Sequence, residues 1–134
     1  MLAMQEGGTS VIELGVPYTD PQADGATIQL TNQVAINGGT DSIDKCLEFV
    51  KEARAQGLTI PVVLMGYYNP FYQYGIDALA TDSDAAGVDG FVVVDLPPEE
   101  GYKFVNVCAG KKVRSRLQRS DGWSEAAGAY RPPT

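Results

Sequence analysis

The sequence predicts an α/β fold built on a parallel sheet, and two kinds of segment predict it. Three short runs rich in Val and Ile, each bounded by Gly or Pro, occupy residues 11–16, 60–65 and 90–96. None of these runs alternates cleanly between apolar and polar residues, which is the pattern of strands buried on both faces. Helical patterns separate the runs, and such alternation is typical of right-handed crossovers between parallel strands.

The clearest predicted helix covers residues 41–56, where apolar side chains recur at helical spacing. Asp41 is its predicted N-cap, and Gly57 stands where a C′ glycine belongs. Weaker patterns predict further helical segments at residues 27–37, 76–86 and 99–109, with the end of another helix at residues 1–8.

The charge of the chain is divided unevenly between two segments. The 134 residues carry a net charge of −7. Residues 1–110 hold fifteen Asp and Glu against four Lys and Arg, giving −11, whereas residues 111–134 hold two against six, giving +4. An acidic body argues against nucleic acid as the main partner, because binding phosphates requires clustered Lys and Arg.

The residue types also limit the chemistry and the compartment. The chain contains no histidine, which excludes a His-containing triad or zinc site within it and leaves proton transfer to carboxylates, Tyr or Lys. Cys46 and Cys108 lie far apart without metal-site spacing, so reduced thiols and no metal site are expected. Neither an apolar run of membrane-spanning length nor a secretory signal is visible, and a cytoplasmic location is expected.

Four polar residues fall where the predicted strands end. Glu13 lies inside the first apolar run, Asp24 in the Pro- and Gly-rich loop after it, Tyr67 after the second run and Asp95 at the end of the third. Ligands of parallel α/β folds bind at the carboxyl ends of the strands, so these side chains are expected to face one site.

Each of these residues also has a structural interpretation. Glu13 is expected to be buried, and it then either pairs with a buried Arg or acts in the site. Asp24 is in a setting where Asp commonly makes turns. Tyr67 is in a pair of tyrosines that could simply pack, and Asp95 could cap the helix that follows it. Spacing alone leaves both interpretations open.

A longer motif resembles a known family. Residues 13–29 read ELGVPYTDPQADGATIQ, which closely resembles the signature of the tryptophan synthase α family. The segments at residues 64–70, 87–90 and 94–100, reading LMGYYNP, GVDG and VDLPPEE, also resemble that family. The likeness runs from about residue 1 to residue 109 and is nearest to the fungal type, in which α and β units are fused. One departure is Ala26, where most of the family has Pro.

The resemblance implies a fold and a domain division. It implies a partial (β/α)₈ TIM barrel, with parallel strands that correspond to strands 2–4 of the barrel and their helices. Residues 1–109 are then a partial α domain, and residues 110–134 are a divergent basic tail, predicted to be disordered.

The resemblance also implies a reaction, the retro-aldol cleavage of indole-3-glycerol phosphate to indole and glyceraldehyde 3-phosphate. It implies that Glu13 is the general acid and base, that Asp24 binds the indole N–H, and that Tyr67 and Asp95 line the substrate site. No cofactor is implied for this step, since pyridoxal phosphate belongs to the β unit. The implied partner is that β unit or a fused β domain.

Two other interpretations stay open. One is a catalytically inactive fragment that at most binds a β unit, because the phosphate-binding loops of such barrels follow strands 7 and 8. The other is a different phosphate-binding barrel of amino-acid biosynthesis, against which the motif from Asp20 to Asp24 speaks.

Overall fold

A computed structural model of the chain describes residues 1–111, 113–119 and 122–123. Helices and strands alternate as the sequence predicts. The elements are α1 (Leu2–Glu6), β1 (Ile12–Gly15), α2 (Ala26–Asn37), α3 (Ile43–Ala55), β2 (Val62–Tyr67), α4 (Tyr68–Tyr74), α5 (Ile76–Ala86), β3 (Gly90–Val94), α6 (Pro98–Ala109), β4 (Arg114–Arg119) and β5 (Gly122–Trp123).

The strands form one sheet in chain order, β1-β2-β3-β4-β5. The first four strands are parallel, and β5 runs antiparallel to β4. The register aligns Glu13 with Val63 and Val63 with Gly90. The predicted parallel α/β sheet of a partial barrel is therefore confirmed.

The sheet has two faces of different character. The helix face carries alternate residues that join the core under the helices: Ile12, Leu14, Val62, Leu64, Phe91 and Val93. The other face, here called the inner face, carries the residues between them: Glu13, Val63, Met65, Tyr67, Val92 and Val94. A candidate polar residue on the inner face is thus separated from the helix core by the sheet itself.

Three phenylalanine rings form the centre of the helix core. Phe71, Phe91 and Phe104 have ring centroids 5.5–6.5 Å apart. Gly66 makes room for them, because a Cβ at Gly66 would lie 2.8 Å from Cζ of Phe71. The close contact lets α4 turn back directly after β2, and this holds the residues at the end of β2 in place.

Arg54 joins α3 to the amino ends of β2 and β3. Its guanidinium donates to the carbonyls of Gly87, Leu58 and Ile60 at 2.8–3.0 Å. It also donates to the carboxylate of Asp89 at 2.7 Å. This end of the sheet is opposite the candidate site, so Arg54 supports the fold without facing that site.

Two local predictions are corrected by the structure. The N-cap of α3 is Ser42, whose hydroxyl accepts from the Lys45 N–H, so the prediction of Asp41 was wrong by one residue. Helix α4 was not predicted at all, because it begins at Tyr68 with no residue between it and β2. Gly57, with φ of +100°, does follow α3 as predicted.

The basic segment at residues 110–134 also differs from its prediction where it is described. Disorder was expected there, whereas the structure forms β4 and β5. The physical reason is the edge of β3, whose backbone groups pair with β4 from Gly90 opposite Arg114 to Val93 opposite Leu117. Residues 112, 120–121 and 124–134 lie outside the described residues, and the domain division at residue 109 stays a prediction.

The helices are all short. The longest in the described part of the chain, α3, has 13 residues, and none there is both long and apolar enough to cross a bilayer.

Candidate active site

Three of the four predicted site residues lie together at the carboxyl ends of the strands. Asp24 is in the loop between β1 and α2, Tyr67 is the last residue of β2, and Asp95 directly follows β3. Tyr67 lies between the other two, because its hydroxyl accepts the N–H of Ala23, next to Asp24, and its register partner Val94 directly precedes Asp95. The parallel arrangement of the strands brings these three residues to one edge, as the sequence predicts.

Tyr67 is buried, with 5% of its surface exposed. Its hydroxyl oxygen accepts the Ala23 N–H at 2.9 Å, across the gap between the end of β2 and the loop after β1. Burial raises the pKa of Tyr67, and a hydrogen bond to the Asp24 side chain raises it further, as do the charges of Asp24 and Asp95; the Ala23 N–H acts in the opposite direction. The phenol is therefore neutral at physiological pH and is able to donate to a carboxylate.

Asp24 is half-buried in a loop that local turns shape. Its own N–H donates to the Pro21 carbonyl at 3.1 Å, and its carbonyl accepts from Gln29 Nε2 at 2.9 Å. The turn expected of this segment is thus present, and it uses the backbone of Asp24. The carboxylate is left to interact with the Tyr67 hydroxyl.

Asp95 adopts an unusual backbone conformation. Its φ of +63° is the only positive value at a non-glycine position among the residues that the structure describes. Its Oδ1 accepts the N–H of Tyr68 at 2.9 Å, which is the first N–H of α4. Burial raises the pKa of this carboxyl, and the Tyr68 hydrogen bond opposes that rise. Asp95 therefore caps α4, which precedes it, whereas α6 begins after Pro97 without a side-chain cap.

Glu13 lies on the inner face, apart from these three residues. It is exposed, so the expectation of a buried carboxylate was wrong. The reason is that β1 is the edge strand of the sheet, so Glu13 has a neighbouring strand on one side only. Val63 is its register partner, four residues before Tyr67, which is about 13 Å along the strand at about 3.3 Å per residue. Glu13 and Tyr67 thus share a face but occupy different levels along the sheet.

Two contributors were missed by the sequence interpretation. The Ala23 N–H is a backbone group, which no pattern of side chains reveals. The ring of Tyr18 packs against that of Tyr67 with centroids 5.3 Å apart, and its hydroxyl accepts from Asn69 Nδ2 at 3.2 Å. A signal for Tyr18 existed, because it lies in the loop three positions after the carboxyl end of β1, where ligand sites of parallel sheets are built.

The remaining reactive groups lie elsewhere. Cys46 and Cys108 are both buried in the helix core and form no disulfide with each other. Burial raises the pKa of Cys46 to about 11, which makes that thiol a poor nucleophile. Within the described residues, no three Cys, Asp or Glu side chains group as metal ligands would. The chemistry of the strand ends therefore belongs to carboxylates and tyrosines.

Comparisons with known proteins agree on one family. The family model described as tryptophan synthase alpha chain matches residues 1–116. The tryptophan synthase of Saccharomyces cerevisiae is 51% identical over 102 residues, which are 76% of this chain and 14% of that protein. The tryptophan synthase alpha chain of Polynucleobacter asymbioticus is 52% identical over 104 residues, which are 78% of this chain and 39% of that protein.

Solved structures show the same likeness. The tryptophan synthase subunit alpha of Legionella pneumophila superposes with a TM-score of 0.81 at 38% identity, over 86% of this chain and 44% of that one. The A-subunit from Pyrococcus furiosus gives a TM-score of 0.81 at 35% identity, over 87% and 47%. The chain therefore spans less than half the length of each of these four proteins.

Proposed function

Because this chain belongs to the tryptophan synthase alpha family, a family of lyases, we propose that it carries the acid–base part of a site for indole-3-glycerol phosphate. The proposed reaction is the retro-aldol cleavage of that substrate to indole and glyceraldehyde 3-phosphate, in tryptophan biosynthesis. The chain spans 39% of the Polynucleobacter alpha chain, so the proposal concerns this part of the site.

Glu13 is the proposed proton donor and acceptor. Its carboxyl gives a proton to the indole ring carbon that bears the glycerol chain, and its carboxylate takes the proton from the neighbouring glycerol hydroxyl. The carbon–carbon bond then breaks, its electrons return to the indole ring, and the hydroxyl carbon becomes the aldehyde. The protons given and taken balance, so the step needs no cofactor.

Asp24 is the proposed partner of the indole N–H. Protonation of the ring leaves a positive charge on the indole nitrogen, and an ionised carboxylate beside it stabilises that charge. Tyr67 and Asp95 are proposed to line the same site. The observation that carries this assignment is the joining of Asp24, Tyr67 and Asp95 at the strand ends, with Glu13 exposed on the inner face.

A β unit, or a fused β domain, is the proposed partner, and pyridoxal phosphate is proposed to be bound there and not in this chain. A second candidate function is binding to that unit without catalysis. It is favoured by α2, which buries none of its twelve residues and exposes Leu30 and Val34. Apolar side chains left uncovered on a helix are typical of an interaction surface.

The test measures indole released from indole-3-glycerol phosphate by the purified chain, with and without a tryptophan synthase β unit. The decisive variant is Glu13→Gln, which keeps the shape of the side chain and removes its acid–base function. We expect release by the parent chain and at least a hundredfold less by the variant. Glu48→Gln is the matched control, since Glu48 is an exposed residue of α3.

The two candidates give different results. Equal release by the parent and Glu13→Gln, or none from either, contradicts the proposed reaction. Binding of the β unit that is unchanged in Glu13→Gln, together with an absence of release, supports the second candidate.

A further inference from the structure

The Tyr67 hydroxyl faces two neighbouring residues of one loop, Ala23 and Asp24. Its oxygen accepts the Ala23 N–H at 2.9 Å, and the neighbouring Asp24 carboxylate lies close enough to raise its pKa. The amide is a donor only, so the phenol oxygen is the acceptor of that bond and its proton stays free to face the Asp24 carboxylate.

The other hydrogen bonds of this loop do not tie Asp24 to the sheet. The Asp24 N–H bonds the Pro21 carbonyl, and the Asp24 carbonyl bonds Gln29, so both partners lie within the loop or in α2. Helix α2 in turn buries no residue, so it gives the loop little anchorage. The hydrogen bond to the Tyr67 hydroxyl is therefore the contact with β2 that lies nearest to Asp24 in this loop.

The ring of Tyr67 is itself well fixed. It is buried, and Tyr18 packs against it at 5.3 Å, with the Tyr18 hydroxyl bonded to Asn69 of α4. The loop is thus held at two places: its first residues by the contacts of Tyr18 with Tyr67 and Asn69, and the segment beside Asp24 by the Tyr67 hydroxyl.

We propose that Tyr67 is a positioning residue, which holds the loop of residues 17–25 against the end of β2 and so sets the place of the Asp24 carboxylate. Its hydroxyl is committed to protein groups and does not bind the substrate. This inference rests on the proposed function only for the role of Asp24 in binding the indole N–H. The contact between the Tyr67 hydroxyl and the loop is independent of any reaction.

The test uses Tyr67→Phe, which removes the hydroxyl and keeps the ring. Amide hydrogen exchange is followed by NMR in the full ¹⁵N-labelled chain. We expect the Ala23 amide to exchange about tenfold faster in the variant, which is the effect of one lost hydrogen bond. The Val62 amide, which bonds Asp89 at 2.8 Å at the other end of β2, should keep its rate and so reports on global stability.

Two comparisons complete the test. Tyr72→Phe is the matched control, because Tyr72 is exposed and lies one helical turn beyond Tyr68; it should leave the Ala23 rate unchanged. In Asp24→Asn, the pKa of Tyr67, followed through a ¹³C label on the tyrosine rings, should fall towards the ordinary phenol value as the neighbouring charge is lost. An unchanged Ala23 rate in Tyr67→Phe, or an unchanged Tyr67 pKa in Asp24→Asn, overturns the inference.

This test is independent of the reaction. If the Ala23 rate responds as expected while no preparation releases indole, the positioning of the loop is supported and the proposed function fails. If indole release depends on Glu13 while the exchange rate of the Ala23 amide is unchanged in Tyr67→Phe, the proposed function is supported and the positioning role of Tyr67 fails.

Discussion

At Asp95, the backbone conformation favours a hydrogen bond to Tyr68, whereas burial disfavours the charged carboxylate that accepts it. Its left-handed backbone conformation, with φ of +63°, is tolerated by Asp better than by most residues and points the side chain back to Tyr68. Burial nevertheless makes ionisation of the carboxyl less favourable, and the hydrogen bond from the Tyr68 N–H only partly compensates for it. A short side chain with a neutral oxygen acceptor satisfies the same geometry without that cost.

We therefore expect Asp95→Asn to raise the free energy of unfolding at pH 7. The gain should be less than about 1 kcal/mol, because the carboxyl is only partly buried and water screens much of the effect. Folding raises the pKa of Asp95. Its contribution to stability is therefore complete at pH values below the pKa of the unfolded chain, and it is lost as the pH rises through the pKa of the folded chain. The gain of the variant should consequently disappear near pH 3.

Urea unfolding of the parent and of Asp95→Asn at both pH values measures this difference. Asp95→Ala is the companion variant, because it removes the acceptor together with the charge and should destabilise the chain at both. A variant with Asn that is less stable than the parent at pH 7 would contradict the interpretation.

At the scale of elements, the start of α3 shows how a cap is chosen. Asp41 and Ser42 are both good capping residues, and the sequence favoured Asp41. In the structure Ser42 has the extended backbone of a cap and accepts the Lys45 N–H, while Asp41 makes only an exposed ion pair with Lys45 at 3.9 Å. Adjacent candidates of this kind are separated by backbone geometry and not by residue type.

Ser42→Ala should therefore lower the free energy of unfolding by about 0.5–1 kcal/mol, the usual cost of a lost cap. Asp41→Ala should cost less, since an exposed ion pair contributes little. Equilibrium urea unfolding of the two variants under one set of conditions gives the comparison. A larger loss from Asp41→Ala than from Ser42→Ala would restore Asp41 as the cap.

The elements that the sequence predicted are those whose pattern of apolar residues lies within the element itself. The apolar runs predicted β1, β2 and β3, and the helical spacing within residues 41–56 predicted α3. Helix α4 depends instead on Asp95, which caps it from 27 positions further along the chain. Strand β4 depends on the free edge of β3, because its own residues are polar and carry no apolar period.

The site follows the same division. Its location at the strand ends could be predicted, because parallel strands bring their carboxyl ends to one edge. The bond between Tyr67 and Ala23 could not, because it joins a side chain to a backbone amide 44 positions away. The exposure of Glu13 also depends on which strand forms the edge of the sheet, which a local pattern does not contain.

At the scale of the whole molecule, three tyrosine hydroxyls join separate elements. Tyr67 bonds the loop after β1, and Tyr68 donates to Glu100 of α6 at 3.3 Å. Tyr74 lies within 3.0 Å of carboxylates on both α3 and α5. Burial is the largest cause that raises the pKa of all three, followed for Tyr68 and Tyr74 by their carboxylate neighbours.

Stability is therefore expected to fall at alkaline pH. A phenol whose pKa is raised by folding contributes fully below its unfolded value of about 10, and this contribution is lost as the pH rises through the folded value. The urea midpoint, followed by far-UV circular dichroism, should thus decrease between pH 9 and 11. Tyr74→Phe should start from a lower midpoint at pH 8 and lose less over that range; an equal loss would contradict the role of Tyr74.

Helix α2 has a consequence for the integrity of the chain under proteolysis. Since it buries no residue, it can open while the rest stays folded, and Leu30 and Val34, 65% and 64% exposed, then meet any protease that cuts beside apolar side chains. Trypsin cannot cut within α2, because the first Lys or Arg of the chain is Lys45. A single cut at Leu30 places Glu13 and Asp24 on one peptide and Tyr67 and Asp95 on another. The nicked protein then keeps its two halves of the site together through the pairing of β1 with β2, the contacts of the loop after β1 and the hydrogen bonds of Gln5 with Thr59 and Ile60.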